Sequence, residues 1–443
     1  MTRRRDLWLL VGGMGLSAIG TNVTFIALPL QLRDEGPYVI SAVMMAVLIP
    51  VALGAPVAGW LVDRFPNRRL MVYAQLAAAA AVAAMVLALD SLPVLLLLLL
   101  VMGSASTVTN PAMSALLPKL TGEEGATKGY AALSTARSAG SLAGFGIGAL
   151  LSAGPGIRIA LALDAVTFLV LAVALSAVRA ERDPLREAAG RARDSVMAGL
   201  RPLAGDRVLM IALVGLTFAV LIAVLVNVAD VFFVFDVLKA GGLTYGLTAA
   251  AWGAGMVVGA HLAGRLDTDR ELAIGLFTCG IGMGTVLLAP AAMPTVAVTV
   301  LAWLVGGACN AAQTVAIQGL VRSRVPDELR GRAFAAMNAA LVTANVLGTF
   351  AGGPATVMWG PRAVFLVAGV GTIVSAGIAM IVILPHLRGA TGRASESVEP
   401  VPASVRHAET VGASVVRSPG VGNLLPKDPA ARGIGGRTGA ARK

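Results

Sequence analysis

The sequence predicts an all-α membrane protein, with twelve transmembrane helices in two six-helix halves and both termini in the cytoplasm. Three observations predict it. Of 443 residues, 57% are hydrophobic and 13% charged, a composition too apolar for any water-facing surface of ordinary polarity to cover. Apolar stretches recur from Leu7 to Leu384, each near the roughly 20 residues that a hydrocarbon layer about 30 Å thick requires. Lys and Arg gather in alternate loops, as the positive-inside rule demands of a polytopic chain.

Helices are expected, and not a barrel, because runs such as Leu92 to Val101 lack the in-out alternation of a membrane strand. The first half, residues 1–178, reads as spans 7–31, 39–62, 70–89, 92–117, 130–154 and 157–178. Residues 179–207 form a central cytoplasmic loop of mixed charge, suited to a surface helix. The second half, residues 208–385, reads as spans 208–235, 243–265, 272–290, 293–320, 332–358 and 361–384. Residues 386–443 turn to Gly, Ser, Pro, Ala and Arg and predict a disordered cytoplasmic tail. The apolar stretch behind Arg3, Arg4 and Arg5 runs on to Leu32 without a small-residue cleavage site, so it is expected to stay as the first helix.

Orientation follows from the loops. One side carries Arg64, Arg68, Arg69, Lys119, Lys128, the arginines of the central loop, Arg265, Arg270, Arg322, Arg324, Arg330 and Arg332. The other carries only Arg33, Arg158, Lys239 and Arg362. The formal charge of +11 is thus spread over loops and tail and forms no single basic face, which excludes a nucleic-acid partner. Cys279 and Cys309 sit in different apolar segments without metal-ligand spacing and read as packing residues; no metal and no cofactor is expected.

After the second span the chain reads Gly59-Trp-Leu-Val-Asp63-Arg64-Phe-Pro66-Asn67-Arg68-Arg69. This resembles the helix 2 to helix 3 signature of the major facilitator superfamily. The resemblance implies that Gly59 permits close helix approach and that Asp63, Arg64, Arg68 and Arg69 form a charge network at the cytoplasmic gate. Pro66 and Asn67 stand where the family has Gly and Arg. A degenerate copy with Gly259, Gly264, Arg265 and Asp267 follows the eighth span, as duplicated halves would produce.

Asn110-Pro111-Ala-Met-Ser114 through Pro118-Lys119, then Ser134, Arg137, Gly140, Gly144, Gly146 and Gly148, resemble helices 4 and 5 of the drug:proton antiporter branch that includes enterobactin exporters and macrolide efflux pumps. Ser17-Ala-Ile-Gly20, Gly253-Ala-Gly255, Val325-Pro326-Asp327-Glu328 and Gly348 with Gly352-Gly353 extend the likeness over all twelve helices. It implies the major facilitator fold and secondary transport by alternating access. Independently, Gly140, Gly144 and Gly148 repeat every fourth residue and present a smooth face for helix packing. Ser141 stands where related antiporters have Pro.

Charges inside helices cost several kcal/mol unless paired or hydrated, so the few present are candidates for coupling or contact. Asp230 and Asp164 are the proton-coupling candidates, in the outer parts of the seventh and sixth spans. Arg137 lies on the fifth span nearer the cytoplasm, and His261 reads as a gate-side packing residue. Asn22, Thr24, Arg137, Asn227, Asn310, Gln313, Asn338 and Asn345 are candidates for a substrate cavity suited to an amphipathic or weakly cationic molecule. No Gly-rich loop ending in Lys and Ser or Thr occurs, which leaves ion gradients as the energy source. The expectation is therefore proton-coupled efflux of an amphipathic small molecule by a monomer in the plasma membrane, with protons and the lipid bilayer as its other partners. A small-solute importer is the alternative within the class. A membrane enzyme lacks any His, Asp or Glu cluster, and a receptor or scaffold lacks a folded soluble domain.

Overall fold

The computed structural model describes residues 2–121, 123–151, 156–178, 203–266 and 268–396. Most of the central loop, Asp267 and the tail beyond 396 lie outside the described residues. Every regular element among the described residues is helical: α1 Thr2–Gln31, α2 Pro37–Leu53, α3 Ala55–Arg64, α4 Asn67–Met85, α5 Leu92–Thr121, α6 Glu123–Leu151 and α7 Gly156–Ala177. There follow α8 Arg207–Ala223, α9 Val226–Phe232, α10 Gly242–Ala263, α11 Asp269–Ala292, α12 Val296–Arg324, α13 Asp327–Trp359 and α14 Pro361–Glu396. Residues Met1–Gly389 form one compact unit, and of the second, Ala390–Lys443, the described part is the end of α14.

Local chemistry sets where these helices start and stop. Gly36 and Gly360 adopt φ of 94° and 77°, a left-handed conformation costly to any residue with a Cβ. Each is followed by a proline at the first helical position, where its missing N–H is no loss. Elsewhere, Asp206 accepts from the backbone N–H of Val208 and Leu209 at 2.8 and 3.1 Å and caps α8. Thr268 and Glu271 form a reciprocal capping box on α11. The second Asp206 oxygen pairs with Arg324 at 3.0 Å, and Arg324 also pairs with Asp269 at 2.8 Å, which ties together the adjoining ends of α8, α11 and α12.

Nine helices among the described residues are long and apolar enough to cross a membrane, or ten when the bent pair α2 and α3 counts as one span. The second span is therefore not the single rod expected over 39–62. Pro50 lies inside α2, Gly54 follows it, and the axis turns by 56°. Two further helices, α4 and α6, are not among the nine. The first is alanine-rich and opens on Arg68 and Arg69, and the second carries Arg137 with many glycines and hydroxyls. The seventh span is also broken, into α8, α9 and a wide π turn over Phe233–Val237. The helix expected to end at 384 continues past Pro385 to Glu396.

Packing divides the interior unevenly. Near the basic loops, one cluster draws only on residues between Leu10 and Val178 and another only on residues between Leu203 and Ile383. At the opposite end a single cluster joins Leu28, Leu32, Ile40 and Met44 to Val228, Val231, Phe232 and Val234. There α2 packs on α13 and α6 on α10. Ser41 donates to the Thr349 carbonyl at 2.9 Å, and the Arg33 guanidinium lies 4.2 Å from the Phe235 ring centre.

Candidate functional site

The seventh span supplies the most irregular backbone among the described membrane-crossing helices. Its helical ladder tightens at the α8 to α9 break, where Leu225 N–H bonds the Ile222 carbonyl at 3.3 Å and Asn227 N–H bonds Val224 at 3.0 Å. It then widens, with Leu238 N–H reaching back to the Phe233 carbonyl at 3.0 Å. Such breaks are tolerated in a membrane where the backbone is buried in protein or lines a cavity. Here they flank Asn227 and Asp230, and both side chains line a cavity of about 500 Å³.

That cavity is walled by several helices. Asn22 and Phe25 come from α1, Met44 from α2, Phe145 from α6, Tyr245 and Trp252 from α10, Met283 from α11, Trp303, Asn310 and Gln313 from α12, Asn345 from α13 and Thr372 from α14. Trp252 and Trp303 meet edge to face at 5.9 Å. The Trp303 indole approaches the Asp230 carboxylate, while Asp230 Oδ1 is buried without a hydrogen-bond partner. Asp230 is the one carboxyl group among the lining residues; the rest of the polar wall is amide, hydroxyl or indole.

The structure gathers five of the expected cavity residues, Asn22, Asn227, Asn310, Gln313 and Asn345, around this space. It does not bring the other three there. Asn338 is exposed and lines neither this cavity nor the second one. Thr24 is buried and turned toward Asp164, because it follows Gly20 by one turn on the face of α1 that packs on α7. Arg137 lines a separate pocket of about 160 Å³ between α1, α4, α5, α6 and α7. In that pocket its Nη1 donates to Asn110 Oδ1 at 3.1 Å and Gln75 donates to Thr109 at 2.8 Å. Asn22 lines both spaces and donates to Ser141 at 3.0 Å.

Asp164 lies outside both cavities. It is fully buried at the α1 and α7 contact, where Thr21, Thr24 and Thr167 present hydroxyls to it. A Cβ on Gly20 would run into Thr167 Oγ1 and lie 2.6 Å from Asp164 Oδ1. The glycine face of α6 is packed on α1 in the same manner. A Cβ at Gly140 would overlap the Gly15 carbonyl, one at Gly144 would lie 2.5 Å from the Ile19 carbonyl oxygen, and one at Gly148 would lie 3.0 Å from Ile26.

The loop between α3 and α4 is less of a network than the resemblance implies. Arg68 donates to the Ser176 and Val178 carbonyls at 3.3 and 2.8 Å and so caps the end of α7. Arg64 lies over the Trp60 ring at 5.5 Å, and Asp63 is exposed without an ion pair among the described residues. A Cβ on Gly59 would meet nothing within 4 Å, so no helix uses that glycine for close approach in this conformation. Arg69 has a partner of its own.

Sequence reasoning missed the aromatic wall. A signal for it existed: Tyr245 and Trp252, and likewise Trp303 and Asn310, are separated by seven residues and so share a helix face, and all four line the cavity. Gln75 gave no such signal, since only the packing of α4 on α5 places it against Thr109.

Comparison with known proteins agrees with this architecture. The chain matches the Major Facilitator Superfamily over residues 10–297 and again over 272–425. It is 25% identical over 383 residues to a protein of Bacillus subtilis (strain 168) described as the uncharacterized MFS-type transporter YfiS, covering 83% of this chain and 90% of that one. The nucleoside transporter NupG superposes with a TM-score of 0.67 at 13% identity over 85% of this chain and 98% of its own. A D-xylose-proton symporter does so with 0.64 at 16% identity over 84% and 96%. The chain belongs to the Major Facilitator Superfamily: it is a multi-pass membrane protein and a secondary transporter, not an enzyme.

Proposed function

We propose that the protein exports an amphipathic small molecule in exchange for protons, with Asp230 as the coupling acid. The observation that carries this reading is the position of Asp230, an acid with one unpartnered buried oxygen on a broken helix, facing a largely apolar, aromatic cavity of about 500 Å³. A carboxylate there costs several kcal/mol unless a proton or a cationic group meets it. Proton and cargo then compete for one group. Asp164 lines neither cavity, which favours Asp230 of the two candidates.

In this reading the chain crosses the membrane twelve times in two halves, 1–178 and 208–385, with the loop 179–207, the tail and both termini in the cytoplasm. The conformation is the one that loads cargo from the cytoplasm. Separate clusters at the basic end and one shared cluster at the other support it. Asn22, Asn227, Asn310, Gln313 and Asn345 would hold the cargo. Gly140, Gly144 and Gly148 keep α6 against α1 as the halves rock. Asp63, Arg64, Arg68 and Arg69 would act at the cytoplasmic gate, with Gly59 admitting a neighbour only when that gate closes.

Everted vesicles that overproduce the full chain test the proposal directly. The wild type is expected to accumulate rhodamine B in a manner abolished by a protonophore. Asp230→Asn should reduce proton-driven accumulation about tenfold or more, while Asp164→Asn stays within about twofold of wild type. Unchanged coupling in Asp230→Asn overturns the assignment.

A further inference from the structure

The two cavities are each lined by one group that can carry charge, an acid in one and a guanidinium in the other. Asp230 stands in the wider one beside Tyr245, Trp252 and Trp303, and no Lys, Arg or His lines that space. Arg137 stands in the narrower one, where no acid lines the wall. Neither has an ion-pair partner among the described residues: Arg137 meets the neutral amide of Asn110, and Asp230 Oδ1 meets nothing. The spaces adjoin, because Asn22 lines both.

Resting on the transport reading above, we infer that the preferred cargo is zwitterionic, with its cationic aromatic part at Asp230 and a carboxylate or similar oxyanion at Arg137. Volume supports the division. About 500 Å³ takes the body of a drug-sized molecule, whereas about 160 Å³ takes a small polar group. The lining supports it as well. The wide cavity offers indole and phenol rings, whose faces attract a cation with delocalised charge. The narrow one offers a guanidinium, which leaves most of its N–H donors uncommitted, and the hydroxyls of Ser106 and Ser141. A cargo with only a cationic group would forgo the free donors of Arg137, and one with only an anionic group would leave the buried Asp230 oxygen unmet.

Rhodamine B and its ethyl ester test this, since they share one xanthylium body and differ in a free or blocked carboxylate. Binding of each to the purified full chain is measured by fluorescence anisotropy in wild type, Arg137→Gln and Arg137→Lys. A charge-assisted hydrogen bond of about 1.5–3 kcal/mol corresponds to a preference of roughly ten- to a hundredfold for rhodamine B over the ester in the wild type. Arg137→Gln is expected to bring the two dyes to about the same affinity while holding ester binding within about twofold, which also reports that the variant is folded. Arg137→Lys should keep part of the preference. Equal affinity of the two dyes for wild type, or an undiminished preference in Arg137→Gln, overturns the inference and leaves the exporter reading standing. If neither dye binds the wild type, both the inference and the amphipathic-cargo reading fall.

Discussion

Asp164 and Asp230 are both acids on membrane-crossing helices, and their surroundings differ in kind. Asp164 belongs to a regular helix, α7, pressed against Gly20 of α1 and surrounded by threonine hydroxyls. Asp230 belongs to a helix broken behind it and wound wide ahead of it, and it faces an open space walled by tryptophans. One acid is enclosed by packing and the other lines a cavity. What distinguishes them is the backbone beside each: glycine lets α1 close over Asp164, whereas the broken and widened seventh span sets Asp230 on a cavity that Trp303 of α12 helps to wall.

The contrast can be broken most forcefully at Gly20. Gly20→Val places a side chain against Thr167 and the Asp164 backbone, 2.7 Å from its Cα, and neither helix can yield without parting. A loss of about 3 kcal/mol or more is expected, seen as a large fall in thermal midpoint and in monodisperse yield. A variant as stable as wild type would show that the seam at Asp164 is loose. At the other acid, Trp303→Ala removes a ring that faces the ligand space, so the affinity for an aromatic cation should drop about tenfold, near 1.4 kcal/mol, in the same anisotropy assay. Dye affinity that ignores Trp303 would place the cargo elsewhere. The smallest effect belongs to Thr24→Val, which exchanges one of the three hydroxyls turned toward Asp164 for a methyl of the same shape and leaves those of Thr21 and Thr167. Stability should change by no more than about 1 kcal/mol and transport not at all. A transport defect there would return Asp164 to the coupling step.

Much of this contrast was beyond the reach of the chain read in one dimension. Asp164 and Asp230 look alike there, each a lone acid in an apolar run. The glycines of α6 were legible because a four-residue spacing fixes one helix face whatever lies opposite. Gly59 was not, since whether a helix approaches it depends on which end of the molecule is closed. Five amides converge on the cavity as their depth suggested, whereas Asn338 and Thr24 share that depth and point elsewhere. Depth follows from position along a helix, but direction follows from how that helix is rotated and packed.

By itself the sequence determined the solvent, the helical class and the side on which basic loops gather. Those follow from the cost of leaving backbone groups unpaired in hydrocarbon and of carrying charge across it, and both costs are fixed residue by residue. Only the tertiary structure decided that Trp252 and Trp303 wall the space beside Asp230, that Arg137 occupies a pocket apart, and that Asp164 is sealed. Contacts between helices far apart in the chain depend on bends and close approaches that no single segment encodes.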